Sequence, residues 1–275
     1  MTPLADFSKL CVHTQTNKPW TIEQCINYYA AAGIRAISIW RHLLEGKDLS
    51  KIKKLLIKSQ IEVVALVRGG FFPAVDEEQR VLALEDNRLA IEQAAALGSP
   101  QVVLVCGTDP NQSLKVSRQQ IKEGIIALIP QAERLGVKLS IEPLHPMYAG
   151  DKSAIVSLGQ ANDLSEEIDS PWVGVAIDVY HLWWDDQLEK EIYRCGKSGN
   201  IFAFHVCDWR VPTTDFLTDR GLMGEGCIPV KQIREWVEKA GFKGYNEVEV
   251  FSERLWAHDQ KLYLEKIKKA YLKHC

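Results

Sequence analysis

The chain has 275 residues, a formal net charge of −3 and a sequence pI of about 6.2, with 46% hydrophobic and 25% charged residues. That length suits one α/β barrel and buries roughly three quarters of the unfolded surface, so one domain over residues 1–275 is the expectation. The charge balance lacks the basic stripe and high pI of nucleic-acid binders, and no apolar run nears the ~20 residues of a membrane span, so neither partner is expected.

In chain order, the opening MTPLADFSKL carries no basic n-region and no apolar h-region, and no signal peptide is expected there. The first strand is read at KLCVHT (9–14). Thr21 then begins a capping-box pattern with Gln24, and Ile22, Cys25, Ile26, Tyr29 and Ala30 fall on one helical face before Gly33. Strands follow at AISIW (36–40), EVVALVR (62–68) and QVVLVCG (101–107). Ile121, Ile125, Leu128, Ile129, Ala132 and Leu135 form a second helical stripe before Gly136. The remaining strands are KLSIEP (138–143), VGVAIDV (173–179), IFAFHVCD (201–208) and NEVEVFS (246–252), with the stripe Ile233, Trp236, Val237, Ala240 before Gly241 between the last two. Most of these runs are almost wholly apolar, as strands of a helix-covered parallel sheet are. Eight β-then-α units with no linker or composition break predict a (β/α)8 TIM barrel; a doubly wound sheet is the weaker reading, since the first turn lacks G-x-G-x-x-G. Seven cysteines without C-x-x-C, with Cys11, Cys106 and Cys207 inside apolar runs, point to a reducing, cytoplasmic setting.

Barrel chemistry sits at the C-terminal ends of the strands. There strand five offers Glu142, strand six Asp178, strand seven His205, and strand eight Glu247 and Glu249. Buried carboxylates are costly unless paired or coordinated, and several together repel one another. A divalent cation removes both penalties. Three oxygen ligands and one nitrogen suit Mn²⁺ or Mg²⁺, with Co²⁺ or Zn²⁺ as alternatives. The competing reading is a set of structural salt bridges with nearby Arg or Lys. Strand period two puts Glu247 and Glu249 on one face, so either could supply the last ligand; Glu249 lies nearer the strand's end.

The segments IEPLHP, IDVYH, FHVCDWR, GEGCIP (224–229) and GFKGYNEVEVFS resemble the sugar phosphate isomerase/epimerase superfamily of xylose isomerase-like barrels, which includes D-tagatose 3-epimerase-type ketose epimerases, inosose dehydratases and repair endonucleases. The resemblance spans nearly the whole chain. It implies a metal held by Glu142, Asp178, His205 and Glu249, with Glu142 and Glu249 as the acid/base pair. It also implies that His181, in a D-x-x-H arrangement with Asp178, touches substrate. Arg210 resembles a substrate-contacting arginine but stands one residue short of the family offset, leaving Arg220 as the substitute. Asp208 is expected to orient a ligand or bind substrate hydroxyls. His145, three residues past Glu142 in a form unusual for ketose epimerases, is a candidate extra base. His13, Trp40, His42 and Arg68 end the first three strands and are candidate pocket residues, while Tyr180, Trp183, Trp184 and Trp209 cluster near the rim.

The expected activity is a metal-dependent isomerase or epimerase on a sugar or keto-sugar, working by proton abstraction next to a carbonyl through an enediolate. The alternative is a lyase or dehydratase on a keto-sugar or inosose, with His145 as base. A repair endonuclease, with more ligands and a basic groove, and a non-catalytic sugar-binding protein are the lesser readings. The expected partner is a small sugar or polyol-derived ketone, and homo-oligomerisation is left open.

Overall fold

The structure, a computed structural model, describes residues 4–275, so the first three residues of the opening decapeptide lie outside it. Each of the eight predicted runs contains a strand. They are β1 (Leu10–His13), β2 (Ala36–Trp40), β3 (Glu62–Gly70), β4 (Gln101–Val105), β5 (Lys138–Glu142), β6 (Val173–Asp178), β7 (Ile201–Val206) and β8 (Asn246–Val248). Every neighbouring pair is parallel, and β1 pairs with both β2 and β8, with Leu10 opposite Asn246, so the sheet closes into a barrel. The fold expectation is met.

The helices follow their strands: α1 (Ile22–Ala31), α2 (Leu49–Ser59), α3 (Glu77–Leu97), α4 (Leu114–Leu135), α5 (Leu158–Ile168), α6 (Leu188–Lys197), α7 (Val230–Lys239) and α8 (Gln260–His274). The Thr21–Gln24 capping box forms in both directions, giving two of the helix's free N–H groups side-chain acceptors. Gly136 ends α4 in the left-handed region at φ 68°, where a side chain would be strained. Among the described residues no helix is long and apolar enough to cross a membrane. All seven cysteines are free, and Cys11, Cys106 and Cys207 are buried as expected of small apolar side chains.

The strands that read as continuous apolar runs do alternate, by size. Leu139, Ile141, Val175, Ile177, Phe204, Val206 and Val248 join the large outer core against the helices. Ala65, Val67, Val103, Ala176 and Ala203 form a separate inner cluster beneath Trp40. The intervening inward positions toward the C-terminal ends are polar: Ser140 and Glu142 on β5, Asp178 on β6, His205 on β7, Glu247 on β8 and His13 on β1, all buried. Small side chains line the narrow lumen, and the polar ones stand above them.

Candidate metal centre and its cavity

Ligand atoms of Glu142, Asp178, His205 and Glu249 all lie within 4.8 Å of one another, and all four side chains are buried. Glu142 and Asp178 end β5 and β6, His205 stands one residue before the end of β7, and Glu249 stands one residue past β8. Glu247 sits a layer deeper, paired in register with His205 on one side and Cys11 on the other. Its carboxylate turns away from the group of four and joins His13 and His205 in a group of three. Ser38 donates its hydroxyl to Glu247 Oε2 at 2.5 Å, and His13 Nε2 lies 3.2 Å from the same oxygen.

His13 is clamped between two carboxylates, with Nδ1 2.9 Å from Glu249 Oε1 and Nε2 facing Glu247. Carboxylates only accept, so this clamp favours a proton on each ring nitrogen, the imidazolium form of His13. Burial opposes that charge, but Glu249 and Glu247 outweigh it and raise the His13 pKa. Arg220 is the second buried cation. Its Nη1 lies 3.2 Å from both Asp178 Oδ2 and Glu249 Oε2, its Nη2 lies 3.3 Å from His181 Nε2, and its plane rests over the rings of Tyr180 and Phe251.

Four carboxylates against one guanidinium and one imidazolium leave two negative charges in the barrel's centre. Protein groups answer by holding protons. Burial pushes Asp178 up to about 7 against the pull of Arg220. His205 rises to about 10, because its 2.9 Å contact with Glu142 and the other carboxylates overcome the cost of burial. Glu249 is also penalised by burial, yet His13 and Arg220 hold it below the ordinary carboxylate range. The donor set therefore fits a divalent cation: three carboxylates and one imidazole converge, and a charge of two is what they lack.

At these four side chains opens a cavity of about 310 Å³, at the small end of ligand-sized sites. Glu142, Glu249, His181 and Arg220 form its polar floor; Trp40, Phe71, Tyr148 and Phe251 supply aromatic walls. Arg220 anchors here because Asp208–Trp209 pairs antiparallel with Arg220–Gly221, folding the long β7–α7 loop back over the barrel. The tyrosine hydroxyls of Tyr148 and Tyr180 both donate to the carbonyl oxygen of Phe216, at 2.8 and 2.7 Å, holding this loop as a strap across the rim. His181 is buried and its pKa is driven well down by burial and by Arg220. Its Nε2 accepts from Arg220, so Nδ1 carries the proton, and that N–H has no partner among the described residues.

The predicted residues divide by place. Trp40, Arg68, Glu142, His181 and Glu249 line the cavity, and Asp178, His205 and His13 lie directly beneath. Arg220, the substitute, lines it; Arg210 instead pairs with Asp219 inside the loop. Asp208 accepts backbone N–H groups of Trp209, Gly224 and Ile228, shaping the loop from behind. His145 does not line the cavity: its Nδ1 accepts from the Met147 N–H, and its ring packs against Trp184 and Trp209. His42 faces a neighbouring cleft with Arg41 and Asp86. Sequence reasoning passed over Phe71, Tyr148, Asp151, Lys152, Leu217 and Phe251, which belong to loops without a local motif.

None of the curated proteins compared with the chain matches it. Among solved structures, protein SMc04130 from Sinorhizobium meliloti 1021 is 40% identical with a TM-score of 0.95, over 98% of this chain and 99% of that one. The IolI protein, solved with a bound zinc atom, is 20% identical with a TM-score of 0.84, over 95% and 96% of the two chains. A D-psicose 3-epimerase solved in the presence of D-fructose is 16% identical with a TM-score of 0.78, over 95% and 96%. The sequence profile described as xylose isomerase-like TIM barrel matches residues 26–273, and with that match over a closed eight-stranded barrel the chain belongs to the xylose isomerase-like TIM barrel family.

Proposed function

We propose that this protein is a divalent-metal-dependent isomerase or epimerase of a sugar or keto-sugar, acting by proton transfer next to a carbonyl. The observation that carries the reading is the doubly negative, four-ligand centre at the floor of a small cavity. Glu142, Asp178, His205 and Glu249 would hold the ion, with Mn²⁺ or Mg²⁺ favoured by the oxygen-rich set and Co²⁺ or Zn²⁺ as alternatives. When bound, the ion supplies Lewis-acid stabilisation of negative charge on substrate oxygens. The likeness to an epimerase solved with D-fructose and to a zinc-binding barrel supports the class.

The chain's own groups divide the work. Glu142 has one oxygen at His205 and no other hydrogen bond among the described residues, so it is the freer carboxylate to take a proton from the substrate carbon. Glu249, set by His13 and Arg220, is the group to return one from the other side. The His181 Nδ1–H offers a donor to a substrate oxygen. The elimination reading depended on His145 as base, and its place behind Trp209 weighs against that role. One ion per chain is expected in protein purified without chelator. Asp178→Ala and His205→Ala should each abolish it, and deuterium uptake from D₂O into a bound ketose should vanish with it. Full metal content in both variants would overturn the ligand set.

A further inference from the structure

Charge around the cavity is uneven. Toward β5 to β8 both cations are paired: Arg220 lies between Asp178 and Glu249, and His13, from β1, lies between Glu249 and Glu247. Elsewhere on the lining one cation, Arg68, has no matching anion among the described residues. Arg68, at the end of β3, lies with its guanidinium 4.1 Å from the centroid of the Phe71 ring, and both residues line the cavity. Its side chain makes no ion pair and no hydrogen bond among the described residues. The neighbouring carboxylate Asp86 is taken by Arg41 through two 2.8 Å bonds. Lys152, from the loop after β5, lines the same cavity, its ammonium 3.4 Å from the lining carboxylate Asp151 and 5.3 Å from the centroid of the Tyr148 ring. Trp40 also lines the cavity, and its buried indole N–H has no partner among the described residues.

A guanidinium offers five N–H donors in a rigid plane and no acceptor. Resting on an aromatic ring fixes that plane and leaves its edge open, the arrangement that grips a carboxylate or phosphate with two parallel bonds. Arg68 is exposed to solvent, so a neutral ketose would offer its guanidinium only hydroxyls in place of water, whereas an oxyanion offers a full counter-charge. We propose that the substrate carries an oxyanion, a carboxylate or a phosphate, remote from its reacting carbon, and that Arg68 receives it with Lys152 and the Trp40 N–H beside it. The substrate class is thus an acidic keto-sugar. This rests on the isomerase reading only for which end of the substrate reacts.

The test uses the Mg²⁺-loaded protein and three ketoses that differ only at C6: D-fructose, D-fructuronate and D-fructose 6-phosphate. Deuterium uptake by NMR gives kcat/KM for each, and calorimetric titration with D-gluconate, D-glucitol and inorganic phosphate gives binding without turnover. One of the acidic ketoses should exceed D-fructose by about tenfold or more, and which one does so identifies carboxylate or phosphate. Arg68→Met should weaken the preferred anion by about 10- to 100-fold, a larger loss than it causes for D-fructose, with Arg68→Lys keeping part of the preference. Lys152→Met, on a separate loop, should show a smaller loss of the same sign. If D-fructose is handled as well as both acids, or Arg68→Met and Lys152→Met leave the preference intact, the proposal is overturned while the isomerase reading stands. If no ketose exchanges but an anion outbinds D-glucitol in an Arg68-dependent way, the subsite stands and the isomerase reading fails. If no anion outbinds D-glucitol either, both fall.

Discussion

Two glutamates two positions apart on one strand end up in different chemical roles. Glu249 reaches the cavity, whereas Glu247, 0% exposed, is held by Ser38 and His13 a layer below. Glu142→Gln should therefore cut turnover by about 10²- to 10⁴-fold, because it removes a carboxylate placed to move a proton. Glu247→Gln should leave substrate affinity unchanged and lower metal affinity, since His13 then loses one of its two anions and the charge balance shifts by one. Equal effects of the two changes on turnover at saturating metal would contradict this division. The pH dependence follows from the same balance. His205 must shed a proton to ligate, and its pKa of about 10 means that one proton leaves on metal uptake at neutral pH. Asp178, near 7, contributes a second below that pH. Metal affinity should therefore rise about tenfold per pH unit above neutrality and more steeply below it. Both pKa values lie above the unfolded ones, so the stability these protons lend the metal-free barrel is present at low pH and lost as pH rises, from about 4 to 7 for Asp178 and about 6.5 to 10 for His205. Calorimetry in buffers of different ionisation enthalpy measures the protons released; a flat pH profile would rule the scheme out.

At the scale of elements, the strands were legible because their outward faces carry Val, Ile, Leu and Phe in short runs bounded by helical stripes. Their alternation was hidden, since inward residues such as Ala176, Ala203 and Cys11 count as apolar in any hydropathy pattern. The late-strand ligand candidates stood out for the opposite reason, as charges inside apolar runs. What sequence could not reveal lies in the loops. Arg210 and Arg220 differ in where a ten-residue excursion returns to the barrel, a matter of the Asp208–Trp209 ladder and of Asp219, which satisfies both Arg210 and Thr214. His145 looked chemical because it follows Glu142, yet the turn it caps points its ring at tryptophans. The strap over the cavity hangs on two hydroxyls. Tyr148→Phe and Tyr180→Phe should each cost about 1 kcal/mol of local stability. Combined, they should speed hydrogen exchange at the Leu217 and Thr218 amides while the barrel amides keep their protection. Unchanged exchange in the double variant would show that the strap is held elsewhere.

For the whole molecule, closure is the decisive feature. Strand β1 pairs with β8 through Leu10–Asn246, so the first and last strands support one another and the barrel sheet has no edge left to fray. We propose that the chain unfolds as one domain: circular dichroism and tryptophan fluorescence should report one coincident denaturant transition, moved to higher midpoint by added Mn²⁺. Two separated transitions would argue for independent units. The alternation of large residues outward and small or polar ones inward also has a consequence for how such a chain can change over generations. One residue inserted within β5 ahead of Ile141 would swap the two faces from there on, driving Glu142 among the aliphatics of the helices and Ile141 into the lumen. Strand length is thereby frozen. Insertions and deletions survive only in the connecting segments, and those segments supply Leu144, Tyr148, Lys152 and Leu217 to the cavity wall. The same architecture that forbids drift in the proposed metal ligands channels it toward the walls of the cavity above them.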